Sequence, residues 1–185
     1  MESRNSAVAD RQSPLRKAYV ERPDTAISVK RVRTVETAST DAWHGTVKSL
    51  SHDGMSWGYG IDDTVGGYDD LPNPGHLLCA ALAACIESTT RMVANHLRVE
   101  IEHLEVEVVG DVDVRGCLGM EASVRPGFRK LRCEVRLRPA PGTDERRLRR
   151  VLDQAEMLCV TLDTIRNGVP IEVLTEVGAS AGSAV

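Results

Sequence analysis

Five cysteines, Cys79, Cys85, Cys117, Cys133 and Cys159, are the residues of this 185-residue chain best suited to redox or nucleophilic chemistry. A cysteine attacks as its thiolate, so each must be judged by what could hold that charge. There is no CxxC or HxxxH pairing, and a zinc site has no local support. An odd cysteine count behind an N-terminus without an apolar signal core argues against a disulfide framework. Inert buried thiols or reactive ones remain. Cys79 and Cys133 fall on core-facing positions and suit packing. Cys117 sits in a glycine-flanked loop with nothing nearby to activate it. Cys159 precedes a short helical turn beginning near Thr161, where free backbone N–H groups would favour a thiolate. Cys85 lies inside an apolar helix whose local sequence supplies neither cation nor donor. Composition does not choose between these two.

The elements that would position these thiols follow from hydrophobic period. Residues 1–26 are polar, are interrupted by Pro14 and Pro23, and predict a flexible arm without a sustained pattern. Three strands are expected next, over Ile27–Val35, Trp43–Leu50 and around Met55, Trp57, Tyr59 and Ile61, where apolar residues alternate. The Asp-, Gly- and Pro-rich stretch Asp62–Pro74 is a loop. Asn73 as N-cap and Pro74 at the first position then open a helix to about Leu97, and its run Leu77–Ile86 is apolar on every side. Two alternating strands follow, through Leu104–Val114 and Leu131–Leu137, with Gly110 as an expected bend. A second helix over Thr143–Leu158, a turn at Thr161–Arg166 and a last strand at Val169–Val177 complete the order. Strands, helix, strands, helix, strand is an α+β domain over 27–177, followed by a disordered tail at 178–185.

Composition narrows the partners. With 42% hydrophobic and 27% charged residues the chain is globular, and a net charge of -4 gives no nucleic-acid surface. Arg146, Arg147, Arg149 and Arg150 are expected to form the solvated face of a helix. No apolar run approaches the roughly 18 residues of a membrane span, so a cytoplasmic protein is predicted. No cofactor or metal is implied.

The run Pro72-Asn73-Pro74-Gly75-His76-Leu77-Leu78-Cys79-Ala80-Ala81-Leu82-Ala83-Ala84-Cys85 resembles the central-helix signature of the OsmC/Ohr proteins. In that family a Pro-led loop enters an Ala- and Leu-rich helix ending in the reactive cysteine. Glu156-Met157-Leu158-Cys159-Val160 is similar to the segment around the second family cysteine, and Val108–Phe128 resembles an uncharacterised branch; the similarity runs from about Trp43 to Val177. The resemblance implies an intertwined homodimer with two sites at its interface. It also implies reduction of an organic hydroperoxide, with Cys85 passing through a sulfenic acid to a Cys85–Cys159 disulfide that an external dithiol clears.

Two positions depart from the family pattern. The carboxylate that would precede the Leu-rich run is replaced by Gly75 and His76, and no arginine lies in Asp62–Pro74, which leaves Arg31 or Arg33 as candidates and His76 as a substitute. Val160 stands where the family has proline. A module of the same fold that binds a small hydrophobic ligand without turnover, or a slow thiol redox sensor, are the competing functions.

Overall fold

The computed structural model describes residues 6–36 and 40–177. Its centre is α2, Pro74–His96, 23 residues and so about 34 Å long. The sequence opens it as expected. The Asn73 side chain accepts from the His76 N–H, His76 Nδ1 accepts from the Asn73 N–H, and Pro74 occupies the first turn. At its far end Arg98 takes a left-handed conformation (φ 56°), and Val99 and Arg98 N–H groups return to the Ala94 and Asn95 carbonyls. Arg147 also donates to the Leu97 carbonyl, so one of the four helix arginines works as a cap rather than as a solvated charge.

α2 lies on a two-stranded antiparallel sheet of β4 (Ile101–Val112) and β5 (Phe128–Pro139). The register pairs Leu104 with Leu137, Val106 with Val135, Val108 with Cys133 and Gly110 with Leu131. The alternate residues point outward, where Arg136 bonds Glu107 and Glu134. Gly110 is straight in the ladder. Its lack of a side chain makes room for the Phe128 ring and Leu131, and the irregularity falls one step later, at Asp111/Val112. A short helix, α3 (Val114–Cys117), occupies the loop between the strands.

α4 (Glu145–Leu158) and α5 (Val160–Asn167) also pack on α2. Two core clusters result. Val93, Ala94, Val99 and Val151 meet Leu97, Ile101 and Leu148; Leu82, Ile86 and Cys159 meet Cys85, Val106, Val108, Leu131, Cys133, Leu162 and Ile165. A separate antiparallel sheet contains β1 (Val32–Val35), β2 (Gly45–Ser49) and β3 (Ser56–Tyr59) in that order. Its link to the entry loop of α2 is polar: His44 bridges Asp41 at 3.0 Å and Asp70 at 3.1 Å and stacks on Tyr68.

Three expectations change. Within the stretch expected to be an arm without pattern, Ala7–Glu21 is a helix, α1, because Ser6 caps it and also donates to Asn95 of α2; that anchor is tertiary, and no apolar period announced it. The predicted last strand, Val169–Val177, is not a strand here. It pairs with none of the described strands, and Ile171, Val173 and Leu174 are at least 80% exposed. Third, α2 does have the length and mean hydropathy (1.4) of a membrane-crossing helix, counter to the sequence reading. It is the helix on which β4, α4, α5 and α1 pack, and it carries Glu87 and Arg91. The first five residues of the expected arm and the tail at 178–185 lie outside the described residues.

Leu82 is 1% exposed at the point where α2, the sheet and α5 converge. Leu82→Ala should cost about 2–5 kcal/mol in urea unfolding, as expected for a cavity in a core. Met157→Ala, at an exposed position of α4, should stay within about 0.5 kcal/mol.

Candidate active site

α4 stops and α5 starts at a single residue. Cys159 has extended backbone angles (φ -75°, ψ 106°), which break the helical path between Leu158 and Val160. The break turns the first N–H groups of α5 inward, and it buries the Cys159 side chain completely. Cys85 faces this junction from the middle of α2. The Thr161 N–H donates to its sulfur at 3.5 Å. Thr89, one turn further along α2, is buried, and Cys159 belongs to the same cluster. The two cysteines singled out from sequence thus sit side by side, although 74 positions separate them in the chain.

Their electrostatics are opposite. Burial works to raise the pKa of Cys85, but the Thr161 hydroxyl and N–H, then the Cys159 thiol and the Thr89 hydroxyl, outweigh it, and the thiol is held below its ordinary value. Burial pushes Cys159 up, and the neighbouring Cys85 adds to the rise against the pull of the Leu162 and Thr161 N–H groups. The two shifts thus favour the thiolate at Cys85 and the thiol at Cys159. Sequence reading had placed the helix-start field on Cys159. Those N–H groups do pull on Cys159, but burial and the neighbouring Cys85 outweigh them, and the Thr161 N–H also donates to Cys85.

Burial raises Cys79 and Cys133, in keeping with their packing positions. Cys117 is exposed and its thiol donates to the Val114 carbonyl. His76 is committed to capping α2, nine residues and about 13 Å of helix before Cys85. It is no substitute cation. Within one chain Arg31 and Arg33 belong to the segment of β1, in the other sheet; the expectation is of an arginine from these strands of the other chain. Thr161 was missed in the sequence because nothing in its neighbourhood marks a backbone N–H that meets a sulfur 76 positions away. No cluster of His, Cys, Asp and Glu suited to a metal occurs among the described residues.

A cavity of about 790 Å³ does not open on this pair. It lies between α2, β5, α4 and α5. Leu78, Leu82, Ile86, Phe128 and Leu131 line its apolar part, Cys133 opens on it, and Arg125, Arg129, Lys130, Glu156 and Arg166 contribute charged groups.

The family model described as OsmC-like protein matches residues 67–174, more than half of the chain. No curated protein matches. Among solved structures, an OsmC-like protein from Mycoplasma pneumoniae is similar at a TM-score of 0.59 and 16% identity, over 76% of this chain and 89% of that one. An OsmC-like protein of unknown function from Vibrio cholerae O1 gives 0.57 and 17%, over 81% and 99%. An organic hydroperoxide resistance protein from Elizabethkingia anophelis gives 0.55 and 20%, over 77% and 91%. At these identities the structural likeness bears on the fold.

The opposed shifts set an order of reactivity. Brief alkylation with iodoacetamide near neutral pH, read by peptide mass spectrometry, should label Cys85 ahead of Cys79, Cys133 and Cys159. Preferential labelling of Cys159 would reverse the assignment.

Proposed function

This chain belongs to the OsmC-like protein family, and on that premise we propose that it is a thiol-dependent peroxidase for organic hydroperoxides. One arrangement carries the proposal: Cys85, with the Thr161 N–H on its sulfur and its pKa held below the ordinary value, lies in one cluster with the buried Cys159, whose pKa is held above its own. That is the polarity the reaction needs. The Cys85 thiolate attacks the terminal peroxide oxygen, an S–O bond forms, the O–O bond breaks, and the departing alkoxide takes a proton from water. Cys85 is left as a sulfenic acid, oxidised by two electrons. The Cys159 sulfur then attacks the Cys85 sulfur, the S–S bond forms, and the hydroxyl leaves with the Cys159 proton as water. An external dithiol restores both thiols by exchange. The hydroperoxide-resistance designation of the Elizabethkingia relative supports this substrate class.

The working unit in this proposal is an intertwined homodimer in the cytoplasm. Supporting it, α2 leaves Leu78 39% and Met92 42% exposed, the three-stranded sheet leaves Val32 and Trp57 open, and the Val169–Val177 segment offers an unpaired apolar run. A second copy would cover these surfaces. The cavity of about 790 Å³ favours a second reading, a module that holds a hydrophobic ligand without turnover.

Dithiothreitol-coupled consumption of cumene hydroperoxide decides between them. The wild type should turn over, Cys85→Ser should fall to background, and Cys159→Ser should stop after one equivalent with a dimedone-trappable sulfenic acid at Cys85. Binding of a fluorescent fatty acid by a protein that consumes no peroxide would establish the second reading. Sedimentation should give a dimer at micromolar concentration; a stable monomer there would remove the quaternary part.

A further inference from the structure

We propose that His44 is a proton-dependent clasp: as an imidazolium it ties the three-stranded sheet to the loop that leads into α2, and on losing its proton it releases that loop. The device stands apart from the cysteine chemistry.

The ring meets a carboxylate at each nitrogen. Nδ1 lies 3.0 Å from an Asp41 oxygen, and Nε2 lies 3.1 Å from both oxygens of Asp70. A neutral imidazole carries one N–H, so one of the two carboxylates would then face a lone pair. The imidazolium donates to both. Tyr68 stacks on the ring with centroids 5.8 Å apart and 12° between the planes, and Trp43 closes edge-on against Tyr68. Asp41 is fixed in turn, because its other oxygen accepts from the Trp43 and His44 N–H groups. The titratable groups that face His44 are thus Asp41 from its own turn, and Asp70 and Tyr68 from the loop.

The two ends of the clasp belong to different parts of the fold. His44 directly precedes β2, and Asp70 lies three residues ahead of Asn73, the cap of α2. Between Tyr68 and Asp70 the backbone bends at Asp69, whose φ of 52° is a left-handed conformation uncommon outside glycine. The base of the loop is closed without His44. The Gly60 N–H donates to the Pro72 carbonyl, the Asp69 N–H to the Ile61 carbonyl, and the Asn73 amide to Asp62. Release therefore parts Tyr68 and Asp70 from the start of β2 and leaves the cap of α2 in place. His44 and Asp70 are 31% and 53% exposed, so what the proton controls is this local tie and not the fold.

The sign follows from the geometry. Hydrogen bonds to Asp41, then Asp70, raise the pKa of His44 above its ordinary value, and bonds from the Trp43 N–H, then the His44 ring, lower that of Asp41. The clasp is complete below the ordinary histidine range and is lost as the pH rises through the raised value. On the acid side it lasts until Asp41 takes up its proton, below the usual carboxylate range.

The test uses the full-length protein as it assembles in solution, with NMR of the histidine rings and hydrogen exchange corrected for its intrinsic pH dependence. The His44 midpoint should lie above about 6.5. Peptides covering residues 43–49 and 61–71 should lose protection through that same midpoint, while those of β4 and β5 keep theirs. Asp70→Asn retains the shape and an acceptor but removes the charge. It should lower the midpoint by about half a unit, roughly threefold in the protonated fraction above it, and carry the loss of protection with it. His44→Gln should show the released loop at every pH, and Asp70→Asn decides alone if that variant does not fold. A wild-type midpoint at or below about 6.5 would overturn the proposal. So would equal protection of the loop on both sides of the midpoint, an unmoved midpoint in Asp70→Asn, or a folded His44→Gln whose loop still opens with pH.

Discussion

A charged sulfur inside an apolar cluster has to be paid for by donors, and the arrangement around Cys85 follows from that requirement. Leu82, Ile86, Val106 and Leu162 surround the site and would by themselves keep every thiol there protonated. The opposing contribution comes from the one-residue break at Cys159, which starts α5 where its free N–H groups meet Cys85. Had α4 continued unbroken through Thr161, those N–H groups would be spent on the Met157 and Leu158 carbonyls, and the sulfur would lose its strongest donors. The irregularity in the helix is therefore part of the site.

The same break divides the labour between the two cysteines. Cys159 is fully buried and flanks the helix, so its sulfur lies deep in the cluster and its proton stays with it. Cys85, half-buried on α2, has access and receives the field. Similar residues in similar surroundings are separated by their position relative to one helix end, which shows that burial alone does not rank thiols.

Packing within one chain is unevenly finished. The face of α2 toward β4, α4 and α5 is closed, whereas Ala80, Ala81 and Ala84 on its other side are open. The small three-stranded sheet is tied on through His44 and the Asp70 loop rather than through a shared apolar core. A helix apolar all round is what a fold needs when its second face meets something beyond its own sheet.

Much of the architecture was legible in local sequence because it rests on local rules. Asn73-Pro74 at the head of α2, the alternation of Leu104, Val106 and Val108, and the helical spacing of Leu148, Val151 and Ala155 all act within a few residues, and each element formed close to its expected bounds. Cys85 and Cys159 could be named as a pair only through resemblance, and their adjacency appears only when α2 and α5 meet. The helix α1 escaped notice because Asn95, far along the chain, anchors its first turn. Val169–Val177 carries a strand's composition and still forms no strand, because pairing needs an edge that the sequence of a segment does not supply. Sequence determined where the central helix, its two paired strands and α4 run, and which thiols exist. Tertiary structure decided that Cys85 and Cys159 meet and that the Thr161 N–H reaches the Cys85 sulfur, because where a helix begins in space depends on packing far along the chain.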